Sequence, residues 1–306
     1  MKQNKRIIAI AGPTAVGKTA LSLSLAERLS GEIISCDSMQ IYRGMDIGTA
    51  KPTEEEMARI PHHLINIVSP HSPYSCADYE RDARAAMAEI AARGKTPIFC
   101  GGTGLYLESV LYEGKLQSPE ASEEIRSALW ERGAEDVYEE LMRVDPEAAQ
   151  SMHPNNRKRV IRALEIYLVS GKTKTEWDRE NKRQTLIPGA ELYVLTSSDR
   201  EALYRRIDAR VDLMMAQGLL DEVRRLSLDP KTTAGQAIGY KEFYSYFRGE
   251  ETLEDALAAL KQASRHYAKR QLTWWERNRD AVKIDMALTS PQEALENILS
   301  GNYLAT

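Results

Sequence analysis

The chain has 306 residues, 42% of them hydrophobic, and a formal net charge of −4 at pH 7. That apolar content is enough for a buried core and excludes an intrinsically disordered chain. The apolar run nearest the start, Ile7–Ala11, is far short of the roughly 18 residues needed to cross a bilayer and shorter than a secretory h-region, so a soluble, cytoplasmic protein is expected. The odd set of cysteines, Cys36, Cys76 and Cys100, has no metal-ligand spacing and argues against a disulfide framework.

In chain order, Arg6–Ala11 is a short apolar run, followed by a glycine-bounded loop and by helical periodicity over Ala20–Leu29. Glu32–Cys36 reads as a second buried strand closing on Asp37, and Thr96–Cys100 as a third closing on Gly101-Gly102-Thr103-Gly104. Cys36 and Cys100 end these runs and are expected to act as small buried hydrophobes. His62-His63 lacks metal-ligand spacing and is expected in a loop or structural role. Between about Gly114 and Pro188 no convincing strand appears, and helical patterns such as Val160–Val169 are punctuated by Pro119, Pro146 and Pro154. A fourth strand is expected at Glu191–Thr196, then a long helix from about Arg200 to Leu226, and another over Leu253–Trp275. Strands that alternate with helices predict an α/β fold with a parallel sheet. The expected layout is a core of residues 1–113 and 189–306 with a helical insertion, residues 114–188.

Ligands of such sheets bind beyond the carboxyl ends of the strands, where Gly12–Thr19, Asp37 and Gly101–Thr103 should converge. Gly12-Pro13-Thr14-Ala15-Val16-Gly17-Lys18-Thr19 fits the phosphate-loop pattern G-x-x-x-x-G-K-[ST], placed after a strand and before a helix. Its backbone amides and the helix end would cradle phosphate, Lys18 would add a point charge, and Thr19 could ligate Mg²⁺. Asp37 could act as a general base, bind Mg²⁺ through water, or cap the next turn through Ser38. Arg206 and Arg210 share a helix face, but position alone does not choose among Arg205, Arg206 and Arg210 for an anion contact. Two stretches concentrate cations: Arg157–Arg162, and Lys261–Arg279, where Tyr267, Trp274 and Trp275 are interleaved. Both could meet nucleic-acid phosphates, and the tryptophans could equally be core residues.

Taken together, the phosphate loop, Asp37-Ser38-Met39-Gln40-Ile41-Tyr42, Met45-Asp46-Ile47-Gly48-Thr49-Ala50-Lys51-Pro52 and Gly101-Gly102-Thr103-Gly104-Leu105-Tyr106 resemble the bacterial tRNA dimethylallyltransferases of the IPP transferase family. The resemblance continues through His153-Pro154-Asn155, Arg162-Ala163-Leu164-Glu165, Gly218-Leu219, Ala237-Ile238-Gly239-Tyr240 and Lys269-Arg270-Gln271, and so spans nearly the whole chain. It implies a P-loop NTPase-like sheet flanked by helices, and transfer of a dimethylallyl group from dimethylallyl diphosphate to N6 of the adenosine at tRNA position 37, beside the anticodon. On that resemblance Gly12 to Thr19 bind diphosphate, Thr19 holds Mg²⁺, Asp37 is the base, and Lys18 with Arg210 neutralises the leaving group. The tRNA would be met by Asp37, Ser38, Met39, Gln40 and Thr103 at the extruded base, by Arg126 and by Lys158, Arg159, Val160, Ile161 and Arg162 in the insertion, and by Ala237, Ile238, Gly239, Tyr240, Lys241 and Glu242. A monomer is expected. The phosphate loop alone leaves open an adenylate prenyltransferase of the cytokinin type and a kinase or ATPase.

Overall fold

A computed structural model describes residues 6–113, 119, 121–180 and 185–304. The opening segment 1–5, and residues 114–118, 120 and 181–184 of the expected insertion, lie outside the described residues. Six parallel strands form one sheet: β1 (Ile7–Ala11), β2 (Gly31–Ser35), β3 (His62–His63), β4 (Thr96–Cys100), β5 (Ala190–Thr196) and β6 (Val282–Asp285). Their spatial order is β3-β2-β4-β1-β5-β6. β1 aligns Ile8 with Ile98 of β4 on one side and with Glu191 of β5 on the other.

Every residue of β1 and β2 is buried, which is why these strands read as continuous apolar runs rather than alternating ones. Ile8 and Ile10 point to one face, where they share a core with Leu21 and Leu25 of the helix Lys18–Arg28, Leu203 and Ile207 of Arg200–Ala216, and Leu272 of Leu253–Glu276. The helices Cys76–Ala92 and Gly104–Leu111 pack together and complete the sheet's surroundings, with Tyr79 and Tyr106 stacked at 4.0 Å between ring centroids. No helix among the described residues is long and apolar enough to cross a membrane.

The structural or loop role expected of His62–His63 is structural, and one expected helix needs correction. His62–His63 is a short strand at one sheet edge, and Val282–Asp285 is a strand at the other; both are too short and too polar at the edge to show a strand period. The long helix expected over Arg200–Leu226 is two helices, Arg200–Ala216 and Leu219–Leu226, separated at Gly218, whose φ of +98° is left-handed backbone that ends helical hydrogen bonding at little cost for glycine.

The chain divides into two compact units, Met1–Leu111 with Leu186–Thr306, and Tyr112–Thr185. Within the second unit the described elements are all helical: Glu123–Glu131, Ala134–Val144, Pro146–Gln150, Arg157–Ser170 and Lys174–Glu180. Leu129, Val137, Leu141, Val160, Ile161 and Leu164 form its own core.

Candidate active site

Because β2, β4 and β1 are adjacent, the three loops leaving their carboxyl ends are brought together. Gly101 donates to the carbonyl of Ile10 at 3.2 Å, and Thr103 to that of Cys36 at 3.1 Å, which ties the loop after β4 to both neighbours. Gly101 has no room for a side chain, since a Cβ there would sit 2.3 Å from the Cys36 carbonyl oxygen. These loops line a cavity, open to solvent on one side, whose wall includes Lys18, Thr19, Asp37, Gln40, Arg210 and Tyr267. The convergence expected of Gly12–Thr19, Asp37 and Gly101–Thr103 is therefore present.

In the phosphate loop, Gly12 adopts φ +137° against the backbone of Leu195, and Gly17 adopts φ +109° at the start of the helix Lys18–Arg28. Gly17 offers no side-chain cap, so the first-turn amides of that helix keep their affinity for an anion. The Lys18 ammonium folds back onto the Pro13 carbonyl at 2.6 Å. Burial pushes its pKa down to about 8; neighbouring Arg210 adds to the depression, and Cys100 and Asp37 oppose it. Arg210 donates to the Thr14 hydroxyl at 3.3 Å, and burial lowers its pKa while Asp37 raises it. Of the three arginines left open by sequence position, Arg210 lines the cavity, whereas Arg205 and Arg206 are exposed. The helix that presents Arg210 is held by its flanking acids: Asp208 takes both carboxylate contacts from Arg265, at 2.6 and 2.7 Å, and Asp212 pairs with Lys261 at 2.6 Å. Lys261 and Arg265 are thus engaged in ion pairs within the protein.

Of the three roles expected of Asp37, the structure shows the turn cap. Its Oδ1 accepts from the amides of Met39 at 2.8 Å and Gln40 at 3.4 Å, capping the turn after β2, while Oδ2 has no hydrogen-bond partner among the described residues. The turn is capped at Met39 and Gln40 rather than at Ser38, whose amide donates to the Thr103 hydroxyl at 3.2 Å. Gln40 is spent within the protein: Ser35 donates to its Oε1, and its Nε2 donates to the carbonyls of Thr49 and Ala50, both at 3.2 Å. Met39 packs on the hydrophobic cluster that contains Ile41, Tyr42 and Met45.

Glu222, which sequence inspection passes over, organises the neighbouring loop. It is 4% exposed, and its two oxygens accept from the amides of Asp46, Ile47 and Gly48 and from the Tyr240 hydroxyl at 2.7 Å. Gly48 is required because a Cβ would lie 2.6 Å from the Tyr240 ring. Within the expected contact segment 237–242, Ala237, Gly239 and Tyr240 are buried, Ile238 is half-buried, Glu242 accepts from the Gly239 amide at 2.9 Å, and Lys241 faces solvent. Side-chain contacts of Ala237 and Tyr240 with a nucleic acid are excluded by that burial, and Tyr240 acts on the 46–48 loop instead.

In the helical unit Val160 and Ile161 are 1% and 2% exposed, so their side chains belong to the core and not to the expected tRNA contact. Glu165, fully buried, accepts from Arg162 at 2.7 Å, from Arg126 at 3.0 Å and from the Ser122 amide at 2.7 Å, which commits both arginines to this network. Lys158 and Arg159 are exposed in the first turn of Arg157–Ser170, with no ion-pair partner among the described residues.

A model of the IPP transferases matches residues 40–278, and one of the isopentenyl transferases matches residues 5–66. The chain is 52% identical over 287 residues to the tRNA dimethylallyltransferase of Bacillus subtilis, covering 92% of this chain and 90% of the relative. It is 49% identical over 284 residues to that of Anoxybacillus flavithermus, covering 92% and 91%. Among solved structures, the full-length tRNA isopentenylpyrophosphate transferase of Bacillus halodurans superimposes with a TM-score of 0.72 at 42% identity, covering 98% of this chain and 97% of the other. A eukaryotic dimethylallyltransferase solved while acting on tRNA superimposes with a TM-score of 0.82 at 33% identity, covering 97% and 80%. With its phosphate loop, its aspartate and its arginine gathered in one cavity, the chain belongs to the IPP transferase family.

Proposed function

We propose that the chain transfers a dimethylallyl group from dimethylallyl diphosphate to N6 of the adenosine at tRNA position 37. The observation that carries this is one cavity holding a carboxylate oxygen without a partner, on Asp37, and two cations, Lys18 and Arg210, both within reach of its charge. The exocyclic amine is a weak nucleophile because its lone pair is delocalised into the ring. Asp37 Oδ2 takes the amine proton as the nitrogen–carbon bond forms, and the carbon–oxygen bond to diphosphate breaks. Lys18, Arg210 and the phosphate-loop amides receive the negative charge on the departing oxygens. The target base must leave the anticodon-loop stack to reach this cavity, at a cost of a few kcal/mol.

Magnesium fits the donor set. Thr19 and, through water, Asp37 offer hard oxygen ligands on the cavity wall, and among the described residues no cluster of three His, Cys, Asp or Glu side chains forms an all-protein cage. Mg²⁺ keeps several waters and takes phosphate oxygens as ligands, so a single hydroxyl suffices to hold it beside diphosphate. Bound there, it would add charge neutralisation at the leaving oxygens.

Incubation of the purified protein with dimethylallyl diphosphate, Mg²⁺ and unmodified tRNA, followed by nucleoside mass analysis, tests the proposal. Unchanged adenosine mass defeats it, and faster modification of free AMP than of tRNA replaces it with the adenylate enzyme. The proposal carries with it a cytoplasmic monomer.

Two further results are expected. The Lys18 ammonium is lost as pH rises through about 8, because its depressed pKa leaves it charged only below that value. Affinity for dimethylallyl diphosphate should then fall by up to about tenfold per pH unit above that point, the limit for one linked proton. Titration calorimetry of the wild type and of Lys18→Met checks this, and a slope retained in Lys18→Met assigns the dependence elsewhere. The second concerns the exposed Lys158 and Arg159 at a helix start that has neither a side-chain cap nor an acidic first turn. Cations there oppose the helix dipole, and a phosphate relieves them. Arg159→Ala should weaken tRNA binding and make the slope of log K against log salt shallower by about one. An unaltered slope removes Arg159 from the interface.

A further inference from the structure

We propose that Gln271 is a positioning residue for the diphosphate site, its side-chain amide locking the phosphate loop to the loop after β4; this rests on the function proposed above. Gln271 is 5% exposed, in the helix Leu253–Glu276. Its Oε1 accepts from the Thr14 amide at 2.9 Å, and its Nε2 donates to the Gly102 carbonyl at 3.0 Å. The fit leaves no slack, because a Cβ on Gly102 would lie 1.9 Å from that Nε2. Thr14, held by its backbone through Gln271, also receives Arg210 on its hydroxyl. One amide therefore sets the phosphate loop, the Gly102 turn and, through Thr14, the arginine that meets the leaving group.

The same helix is braced for this task. Arg265 and Lys261 grip Asp208 and Asp212 on either side of Arg210, and Tyr267, one turn before Gln271, stands on the cavity wall. An amide in a core position is costly unless both of its ends are paired, and here each end is paired to a different loop of the site. A leucine would fill the same space and leave the Thr14 amide and the Gly102 carbonyl unbound.

Gln271→Leu should weaken binding of inorganic diphosphate with Mg²⁺, and raise the KM for dimethylallyl diphosphate, each by at least about tenfold, because two buried polar groups are left unpaired. The affinity for tRNA, read by fluorescence without the prenyl donor, should be unchanged. Gln271→Glu supplies the readout that a purely structural role would not move. Its carboxylate can still accept from Thr14 but repels the Gly102 carbonyl; once protonated it regains a donor and the shape of glutamine. Its donor KM should therefore return toward the wild-type value as pH is lowered, while that of Gln271→Leu should not. Thermal unfolding of both variants is measured alongside, and Gln271→Glu keeps the test open if the leucine variant does not fold. Unchanged diphosphate affinity and KM in both variants overturns the inference, as does a loss of tRNA affinity with the donor KM intact. Failure of the wild type to bind diphosphate overturns instead the function on which it rests.

Discussion

Asp37→Asn is expected to lower turnover by about 10²–10⁴-fold, the usual weight of a positioned general base, while leaving the tRNA affinity within a few-fold of wild type. The substitution separates the two duties of this side chain. Asparagine keeps an Oδ1 acceptor for the Met39 and Gln40 amides, so the turn after β2 survives, but it cannot take a proton from the adenine amine. Asp37→Ala removes both functions. It should lose a similar factor in turnover and, in addition, weaken tRNA binding, because Ser38, which binds Thr103 of the loop after β4, sits on the turn that Asp37 caps. Single-turnover rates with saturating tRNA, measured with binding by filter retention, distinguish the cases. If Asp37→Asn turns over within a few-fold of wild type, Asp37 serves the turn alone and the proton goes elsewhere.

The parts of the site that were legible in the sequence are those whose chemistry lies within one short segment. Gly12–Thr19 carries its spacing, its strand and its helix within a few residues of one another, and β1, β2, β4 and β5 announce themselves as apolar runs because both of their faces are buried. Asp37 could be placed because it directly follows such a run. The edge strands could not: His62–His63 spans two residues, and Val282–Asp285 carries an exposed lysine, Lys283. Gln271 and Glu222 were out of reach for a different reason. The loop amides that Glu222 binds lie about 175 positions away, and Gln271, though it falls in a segment tied to the family by resemblance, meets partners 257 and 169 positions away, so neither pairing shows in the local pattern. Resemblance alone did not separate the buried side chains of Val160, Ile161 and Tyr240 from their exposed neighbours. Each sits in a stretch tied by resemblance to tRNA, yet periodicity within that stretch sends these particular side chains to the core. Arg210 was singled out from Arg205 and Arg206 by resemblance rather than by pattern, and the structure supplies the physical distinction, since only its guanidinium reaches Thr14 and the cavity.

Arg210→Met should reduce turnover by about 10²–10³-fold, the cost of removing one preorganised donor aimed at developing negative charge, with a smaller rise in the KM for dimethylallyl diphosphate. The inequality follows from where the charge appears. Diphosphate is anionic before and after transfer, but the bridging oxygen gains its charge only as the allylic carbon–oxygen bond lengthens, so a group near that oxygen acts chiefly in the transition state. Arg210 is suited to this because its position is fixed before substrate arrives. Asp208 and Asp212, the acids nearest to it along its own helix, are neutralised by Arg265 and Lys261 and so do not draw its guanidinium away. Burial makes the charge costly to hold, which is the direction of its pKa shift, and strengthens its action on any anion brought beside it. Arg210→Lys keeps the charge on a differently shaped head without the planar fork that reaches the Thr14 hydroxyl; it should recover part of the turnover and little of the geometry. Steady-state kinetics of the two variants, with tRNA held saturating, decide the matter. A rise in donor KM with turnover unchanged would make Arg210 a ground-state anchor and leave Lys18 as the chief protein cation at the leaving oxygen.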